Sequence, residues 1–253
     1  MTALPDIFLT RPLAHRALHG PGRPENSRAA IAAAISMGYG IEIDLQLSRD
    51  DQAMVFHDYD LGRLTAETGA VRQREAAALG AIRLTGGDEG IPTLTEVLDL
   101  VAGRAPLLIE LKDQDGQMGP DVGKLEVATV AALQDYDGPV ALMSFNPHTV
   151  ALLTRLAPQR ARGLTTSAYD PADWAPLPPR ICTHLRNIPD FETCGATFIS
   201  HEAADLTRPR VADLKAQGVP VLCWTIRSAE AEAEARQVAD NVTFEGYLAE
   251  IPA

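Results

Sequence analysis

Gly40-Ile41-Glu42-Ile43-Asp44-Leu45-Gln46-Leu47-Ser48, followed after Arg49-Asp50-Asp51-Gln52 by Ala53-Met54-Val55-Phe56-His57-Asp58, is the stretch on which the fold turns. In a strand, positions two apart face the same side, so Glu42 and Asp44 project together while Ile43 and Leu45 point the other way. Four residues separate the two runs, whereas a parallel crossover needs a dozen or more. Residues 40–48 and 53–58 must therefore form a hairpin. A symmetric turn places Asp44 opposite His57, a histidine beside a carboxylate, and a slip of one residue would exchange the faces.

Outward from this hairpin, short runs rich in Val, Ile, Leu and Phe alternate with Ala-rich segments of helical period. Strands are predicted at 13–18, 40–48, 53–58, 106–112, 140–145, 161–166, 196–202, 219–226 and 242–247. Helical patterns fall at 27–37, 95–102, 125–133, 147–156, 209–216 and 229–239. Such β–α alternation is the signature of a parallel sheet or closed barrel. Nine strand candidates are one more than an eight-stranded barrel needs, so one is surplus or a short extension. Residues 59–92 lose periodicity and are dense in Gly, Thr and charge, which marks a functional loop or a small excursion of its own. The proline-rich segment 173–179 reads as a surface loop.

With 253 residues, 46% hydrophobic and 22% charged, the chain has the size of a single α/β-barrel domain spanning 1–253. A formal net charge of −12 argues against nucleic-acid binding, which clustered Lys and Arg must support. It argues more weakly against docking on anionic membranes. The longest apolar run, 29–41, is short of the roughly 18 residues of a spanning helix, and the N-terminus lacks a basic region before an apolar stretch. Cys182, Cys194 and Cys223 are odd in number and share no metal-type spacing, so free buried thiols are expected. These features point to a cytoplasmic protein without stable membrane insertion, and leave its oligomeric state open.

The chemistry gathers at strand ends. Leu107-Leu108-Ile109-Glu110-Leu111-Lys112 repeats the device of 41–45, an apolar strand that ends in polar residues on one face. Glu42, Asp44 and Glu110 converging from separate strands would form a hard-cation site of the kind Mg²⁺ or Ca²⁺ occupies. An exposed strand face is the plainer reading of Glu42 and Asp44. His15-Arg16 ends the first predicted strand and His57-Asp58 the third. Phosphodiester cleavage needs a base for the attacking oxygen and an acid for the leaving alkoxide, and two histidines can fill both roles near neutral pH. Arg16 offers a planar fork to phosphate oxygens, and Lys112 a second positive contact.

In order, His15-Arg16, Pro24-Glu25-Asn26-Ser27, Glu42-x-Asp44, His57-Asp58, Glu110-x-Lys112 and Trp224-Thr225 resemble the glycerophosphodiester phosphodiesterase family, phospholipase C-like phosphodiesterase TIM barrels. The match in order and spacing covers 13–112 and continues more loosely to the C-terminus. The resemblance implies a TIM (β/α)8 barrel with a short insertion after the third strand, and a site at the C-terminal ends of the strands. It implies a divalent-metal-dependent hydrolase that cleaves glycerophosphodiesters to glycerol 3-phosphate and an alcohol, in lipid or glycerol metabolism. The metal ligands would be Glu42, Asp44 and Glu110, and the acid/base pair His15 and His57. Arg16, Lys112 and Trp224 would contact the small-molecule substrate. Glu25 is a further candidate ligand or a partner of one, and Asn26 a support of the site.

Three departures from the family pattern stand out. Ala17-Leu18-His19-Gly20-Pro21-Gly22 follows His15-Arg16 where the family usually has glycine, so this loop is longer. Ser27 stands for the common threonine, either of which can cap the following helix. Arg227 stands where asparagine is frequent, and suits a surface salt bridge. Trp224 could also be a core residue of its strand. His201 ends a strand and could line the pocket, and Asp58 reads as an orienting or turn residue. The alternative activities are a lysophospholipase D-like diesterase, which wants an apolar rim on 59–92, and a non-catalytic barrel that binds a phosphorylated ligand. An amidohydrolase-type barrel expects His-x-His on its first strand, and here Ala17 occupies the second position.

Overall fold

Every residue of Gly40–Leu47 is buried, but the two faces are buried by different things. Ile41, Ile43 and Leu45 join the apolar layer between sheet and helices, while Glu42 and Asp44 line a cavity inside the sheet. Two opposed faces, both covered, require the sheet to curve around its polar side. The computed structural model, which describes residues 2–252, shows how.

In chain order the elements are α1 (Ile7–Thr10), β1 (Leu13–Ala14), α2 (Arg28–Met37), β2 (Gly40–Leu47), β3 (Ala53–Val55), α3 (Ala76–Ala81), α4 (Leu94–Val101), β4 (Leu107–Leu111) and α5 (Lys124–Ala132). They continue with β5 (Val140–Ser144), α6 (Pro147–Leu156), β6 (Ala161–Thr166), α7 (Pro179–Arg186), β7 (Phe198–Glu202), α8 (Pro209–Ala216), β8 (Val221–Ile226), α9 (Ala229–Ala235) and β9 (Asn241–Phe244). Strands β1, β2, β4, β5, β6, β7, β8 and β9 pair in that order, all parallel, and β9 closes on β1. This is a TIM barrel, and β3 is the ninth, surplus strand, antiparallel on β2.

The hairpin register differs from the symmetric expectation. Leu45 pairs with Val55 and Leu47 with Ala53, so Asp44 faces Phe56, whose backbone N–H donates to the Asp44 carbonyl at 2.9 Å. The turn is one residue shorter than assumed, because the Ser48 N–H already bonds the Gln52 carbonyl at 2.9 Å. Asp51 makes this possible by adopting φ +57°, a left-handed conformation that Asp tolerates and that three-residue hairpin loops require. His57 therefore lies beyond the strand rather than in it.

The first predicted strand is also shortened, from 13–18 to Leu13–Ala14. Arg16 and Ala17 take φ +51° and +64°, so the chain turns away immediately after His15. The Ala17 N–H bonds both the Ala14 and the Glu42 carbonyls, at 3.1 and 2.9 Å. Helix α2 begins as expected, with the Ser27 hydroxyl accepting from Ala30 N–H at 3.1 Å. Helices α1, α3 and α7 were not expected, all of them short.

The barrel interior is apolar at the N-terminal end, where Leu13, Leu108, Ala141, Met143, Ala161, Phe198 and Leu222 pack together. Phe8 of α1 and the preceding Leu4 stop this end, so chemistry is confined to the other mouth. The insertion has its own small core of Met54, Phe56, Leu61, Val71, Leu79, Leu84 and Ile91. Its large apolar side chains are mostly used internally, which leaves little for the apolar rim that a lysophospholipase D-like diesterase would want on 59–92.

Candidate active site

Parallel pairing of β2 with β4 sets Asp44 beside Glu110, and strand periodicity sets Glu42 two positions below on the same face. Carboxylate oxygens of these three buried residues all lie within 4.8 Å of one another. Like charges so close disfavour ionisation of at least one of them. Glu42 takes that role: burial first, then repulsion by Asp44 and Glu110, push its carboxyl well above the usual range. Burial acts on Asp44 too, but the nearby charges of Lys112, His57 and Arg16 outweigh it and hold its carboxyl well below the usual range.

Lys112 follows β4 and lies inside the cluster, with Nζ 2.8 Å from Asp44 Oδ1 and ion-paired to Glu110. Burial opposes its charge, yet the two carboxylates raise its affinity for the proton, so the ammonium stays charged. Asn26, held in the left-handed region at φ +59°, donates Nδ2–H to Asp44 Oδ2 at 3.0 Å. The loop before α2 thus orients the central carboxylate.

The turn after β1 carries the first histidine and the arginine. The Arg16 backbone N–H donates to Glu42 Oε2 at 2.9 Å, and its guanidinium reaches Glu25 Oε1 at 2.9 Å and approaches Asp44 Oδ2 at 3.6 Å. Its Nε is buried without a hydrogen-bond partner, an orphan donor that an anionic ligand would satisfy. Glu25 is committed to Arg16 and Arg63 and stands outside the carboxylate triad.

Both histidines have a carboxylate on Nδ1. His15 Nδ1 is 2.6 Å from Glu245 Oε2, and His57 Nδ1 is 2.6 Å from Asp58 Oδ1. Such a pair selects the tautomer protonated on Nδ1 and leaves Nε2 to exchange protons. Burial, the largest influence on His15, lowers its proton affinity, while Glu245 acts the other way. Arg63 clamps Asp58 through Nε at 2.6 Å and Glu25 through Nη2 at 2.7 Å, which ties the insertion to the site.

His15, Arg16, Glu42, Asp44, His57, Glu110, Lys112 and Trp224 line one cavity of about 160 Å³ at the C-terminal mouth. Trp224 is half-buried in its wall, with its Nε1–H on the Ser200 carbonyl at 3.0 Å and its ring 5.6 Å from that of Phe145. Arg227 reaches the same mouth and pairs with Glu245 at 2.8 Å. His201 does not line this cavity. It is fully buried, with Nδ1 on the Thr166 hydroxyl at 2.8 Å and Nε2 against Asp205, because an odd position on β7 faces the helices.

Two participants escaped the sequence reading, Glu245 and Arg63. Glu245 follows the last strand, and only closure of β9 on β1 brings it to His15. Its position just after a strand end was the signal available. Arg63 lies in the aperiodic insertion, where nothing in the pattern distinguishes it from other surface cations.

Residues 15–243 match the model of the glycerophosphoryl diester phosphodiesterase family. The chain belongs to that family. A glycerophosphodiester phosphodiesterase of Caldanaerobacter subterraneus subsp. tengcongensis is 32% identical over 151 residues, 56% of this chain and 60% of the relative. The Bacillus subtilis protein YhdW is 27% identical over 229 residues, 88% of each chain. Among solved structures, an Oleispira antarctica phosphodiesterase in complex with the product sn-glycerol-3-phosphate superposes with a TM-score of 0.77 at 26% identity, over 94% of this chain and 93% of that one. As a member of the glycerophosphoryl diester phosphodiesterase family, the protein is a hydrolase of phosphodiesters, built on the family's barrel. Among the described residues, no helix is long and apolar enough to cross a membrane.

Proposed function

We propose that this hydrolase cleaves glycerophosphodiesters to glycerol 3-phosphate and an alcohol, with a divalent cation on Glu42, Asp44 and Glu110 and with His15 and His57 as the proton-transfer pair. The same reading treats residues 1–253 as one catalytic domain. The observation that carries it is the buried carboxylate triad set in one cavity with both histidines.

The donor set fits a hard cation. It offers three carboxylates, and the one ammonium among them, Lys112, leaves Glu42 strained toward its neutral form. Oxygen-only ligation of this kind suits Mg²⁺ or Ca²⁺. When bound, such a cation would supply Lewis-acid polarisation of a phosphoryl oxygen and would acidify the attacking oxygen, either the water that is consumed or a substrate hydroxyl that water later replaces.

The remaining work belongs to the chain's own groups. Arg16, with its orphan Nε, and Lys112 stabilise charge that develops on the phosphoryl oxygens. One imidazole takes the proton of the attacking oxygen at Nε2, and the other returns a proton to the departing alkoxide. Glu245 and Asp58 hold the two rings in the required tautomer. Trp224 and Phe145 wall the cavity and exclude water from one side. Support for the substrate class comes from the Oleispira antarctica phosphodiesterase and its sn-glycerol-3-phosphate product.

The test is turnover of a small panel of glycerophosphodiesters by purified protein, with glycerol 3-phosphate measured directly. Chelation is expected to abolish release and added Mg²⁺ or Ca²⁺ to restore it. Full activity after chelation, or undiminished activity in His15→Ala, would refute the corresponding role.

A further inference from the structure

A second cavity, of about 480 Å³, opens beside the first and shares His57, Glu110, Lys112 and Phe145 with it. The two differ in what they ask of a ligand. In the first, Ser200 Oγ and Thr243 Oγ1 are buried without hydrogen-bond partners, and buried hydroxyls of this kind call for polar company such as the hydroxyls of a polyol. The second is walled by Tyr59, Met118, Phe145 and Trp174. Phe145 and Trp174 meet edge to face with centroids 4.9 Å apart. The Tyr59 ring is pinned over the cleft by its hydroxyl, which donates to the Asp113 carbonyl at 2.5 Å.

Four carboxylates edge this aromatic cleft, and two of them are ion-paired, Asp58 with Arg63 and Glu110 with Lys112. Asp60 accepts the backbone N–H groups of Gly62 and Gly69, at 2.8 and 3.0 Å. Asp113 accepts from Asn146 Nδ2 at 2.7 Å and from the Met118 N–H at 2.9 Å. Neither is neutralised by an Arg or Lys. The cleft therefore offers aromatic faces, a thioether and two carboxylates without a cationic partner, Asp60 and Asp113, with the Lys112 ammonium at its border with the first cavity.

Resting on the hydrolysis proposed above, we infer that this cleft receives the alcohol arm of the diester and selects a quaternary ammonium headgroup of the choline type. A trimethylammonium group is cationic, weakly hydrated and without N–H donors, and aromatic faces are its usual receptor. A primary ammonium or a polyol would give up hydrogen bonds to water that aromatic faces do not replace. The aromatic contribution comes from the loops after β5 and β6 and from the segment following His57, and the thioether from the loop after β4.

Glycerophosphocholine and its neutral isostere, in which 3,3-dimethylbutan-1-ol replaces choline, separate charge from shape. The wild-type kcat/KM is expected to favour the choline diester by about tenfold. In Trp174→Leu, and in the less structurally demanding Tyr59→Leu, that ratio should fall toward one. A wild-type ratio of one, with hydrolysis of both diesters, would overturn the headgroup site and leave the hydrolase reading intact. Quenching of tryptophan fluorescence by choline itself provides a readout independent of turnover. Choline binding with no response to 3,3-dimethylbutan-1-ol supports the site even if neither diester is hydrolysed, whereas equal responses, or none, overturn it.

Discussion

Glu245, at the end of the barrel's last strand, receives His15 from the end of its first, with Oε2 2.6 Å from Nδ1 across 230 positions of sequence. The seam that closes the sheet is thus also the seam that orients an imidazole. Glu245 is held ionised by His15 and His19, against burial, so it favours the charged form of His15.

Glu245→Gln keeps the side-chain shape but removes that support. His15, already lowered by burial, loses an influence that raises it, so whichever limb of the kcat–pH profile His15 sets should move to lower pH. A positioning role predicts a fall in kcat of about 10- to 100-fold with a smaller change in KM. An unchanged profile would show that Glu245 does not act through His15.

Glu42 makes a prediction about stability against function. In the metal-free protein its carboxylate is buried beside two others, and Gln in its place retains an acceptor for the Arg16 N–H while removing a charge. Glu42→Gln should stabilise metal-free protein by roughly 1–2 kcal/mol, a Tm rise of about 2–8 °C, and should abolish the stabilisation that added Mg²⁺ gives the wild type. Thermal melts with and without the cation measure both.

The same group sets a pH dependence. The folded-state value of Glu42 lies above its ordinary 4.5, so the native state holds the proton more tightly than the unfolded chain. Its contribution to stability is present below pH 4.5 and lost as pH rises through the raised value. Cation binding requires the ionised form, so affinity should increase with pH above 4.5 and binding should release protons. Titration calorimetry in buffers of different ionisation enthalpy checks the proton count.

Arg63 spans Asp58 and Glu25 but is itself largely exposed. Arg63→Ala should therefore cost less than about 1 kcal/mol in stability. It should lower kcat/KM roughly 3- to 10-fold by loosening Asp58 and with it His57. A loss of stability with unaltered kinetics would assign the residue to tethering the insertion alone.

At the opposite end of the barrel, Phe8 is wholly buried against Leu13, Leu108 and Phe198. Phe8→Ala should cost about 3–5 kcal/mol and lower Tm by about 6–20 °C. Because chemistry is confined to the other mouth, kcat/KM below the transition should stay within about twofold of wild type. A large kinetic defect at low temperature would show that the plug and the site are coupled.

The barrel was legible because parallel βα repeats leave a strong local trace: apolar runs such as 107–111 bounded by helices with their own caps. The carboxylate triad was legible for a related reason, since strand periodicity alone puts Glu42 and Asp44 on one face and a repeated device flags Glu110. The hairpin register was not, because it depended on Asp51 accepting a left-handed conformation, an option that sequence spacing does not reveal. His201 was misread for the same kind of reason: a strand-end histidine looks alike whether its position faces the lumen or the helices.

Periodicity and the spacing of a hairpin are local quantities, and they were enough to settle the β–α alternation, the presence of one strand too many for a barrel and the pairing of acidic residues on a face, while the choice of a closed barrel over an open sheet came from the ordered family motifs. Which groups meet across the closure was decided only in three dimensions. Glu245 against His15, Arg63 between Glu25 and Asp58, and Trp174 beside Phe145 are contacts between distant segments. Nothing local encodes them, because they follow from sheet curvature and loop paths that the whole barrel sets at once.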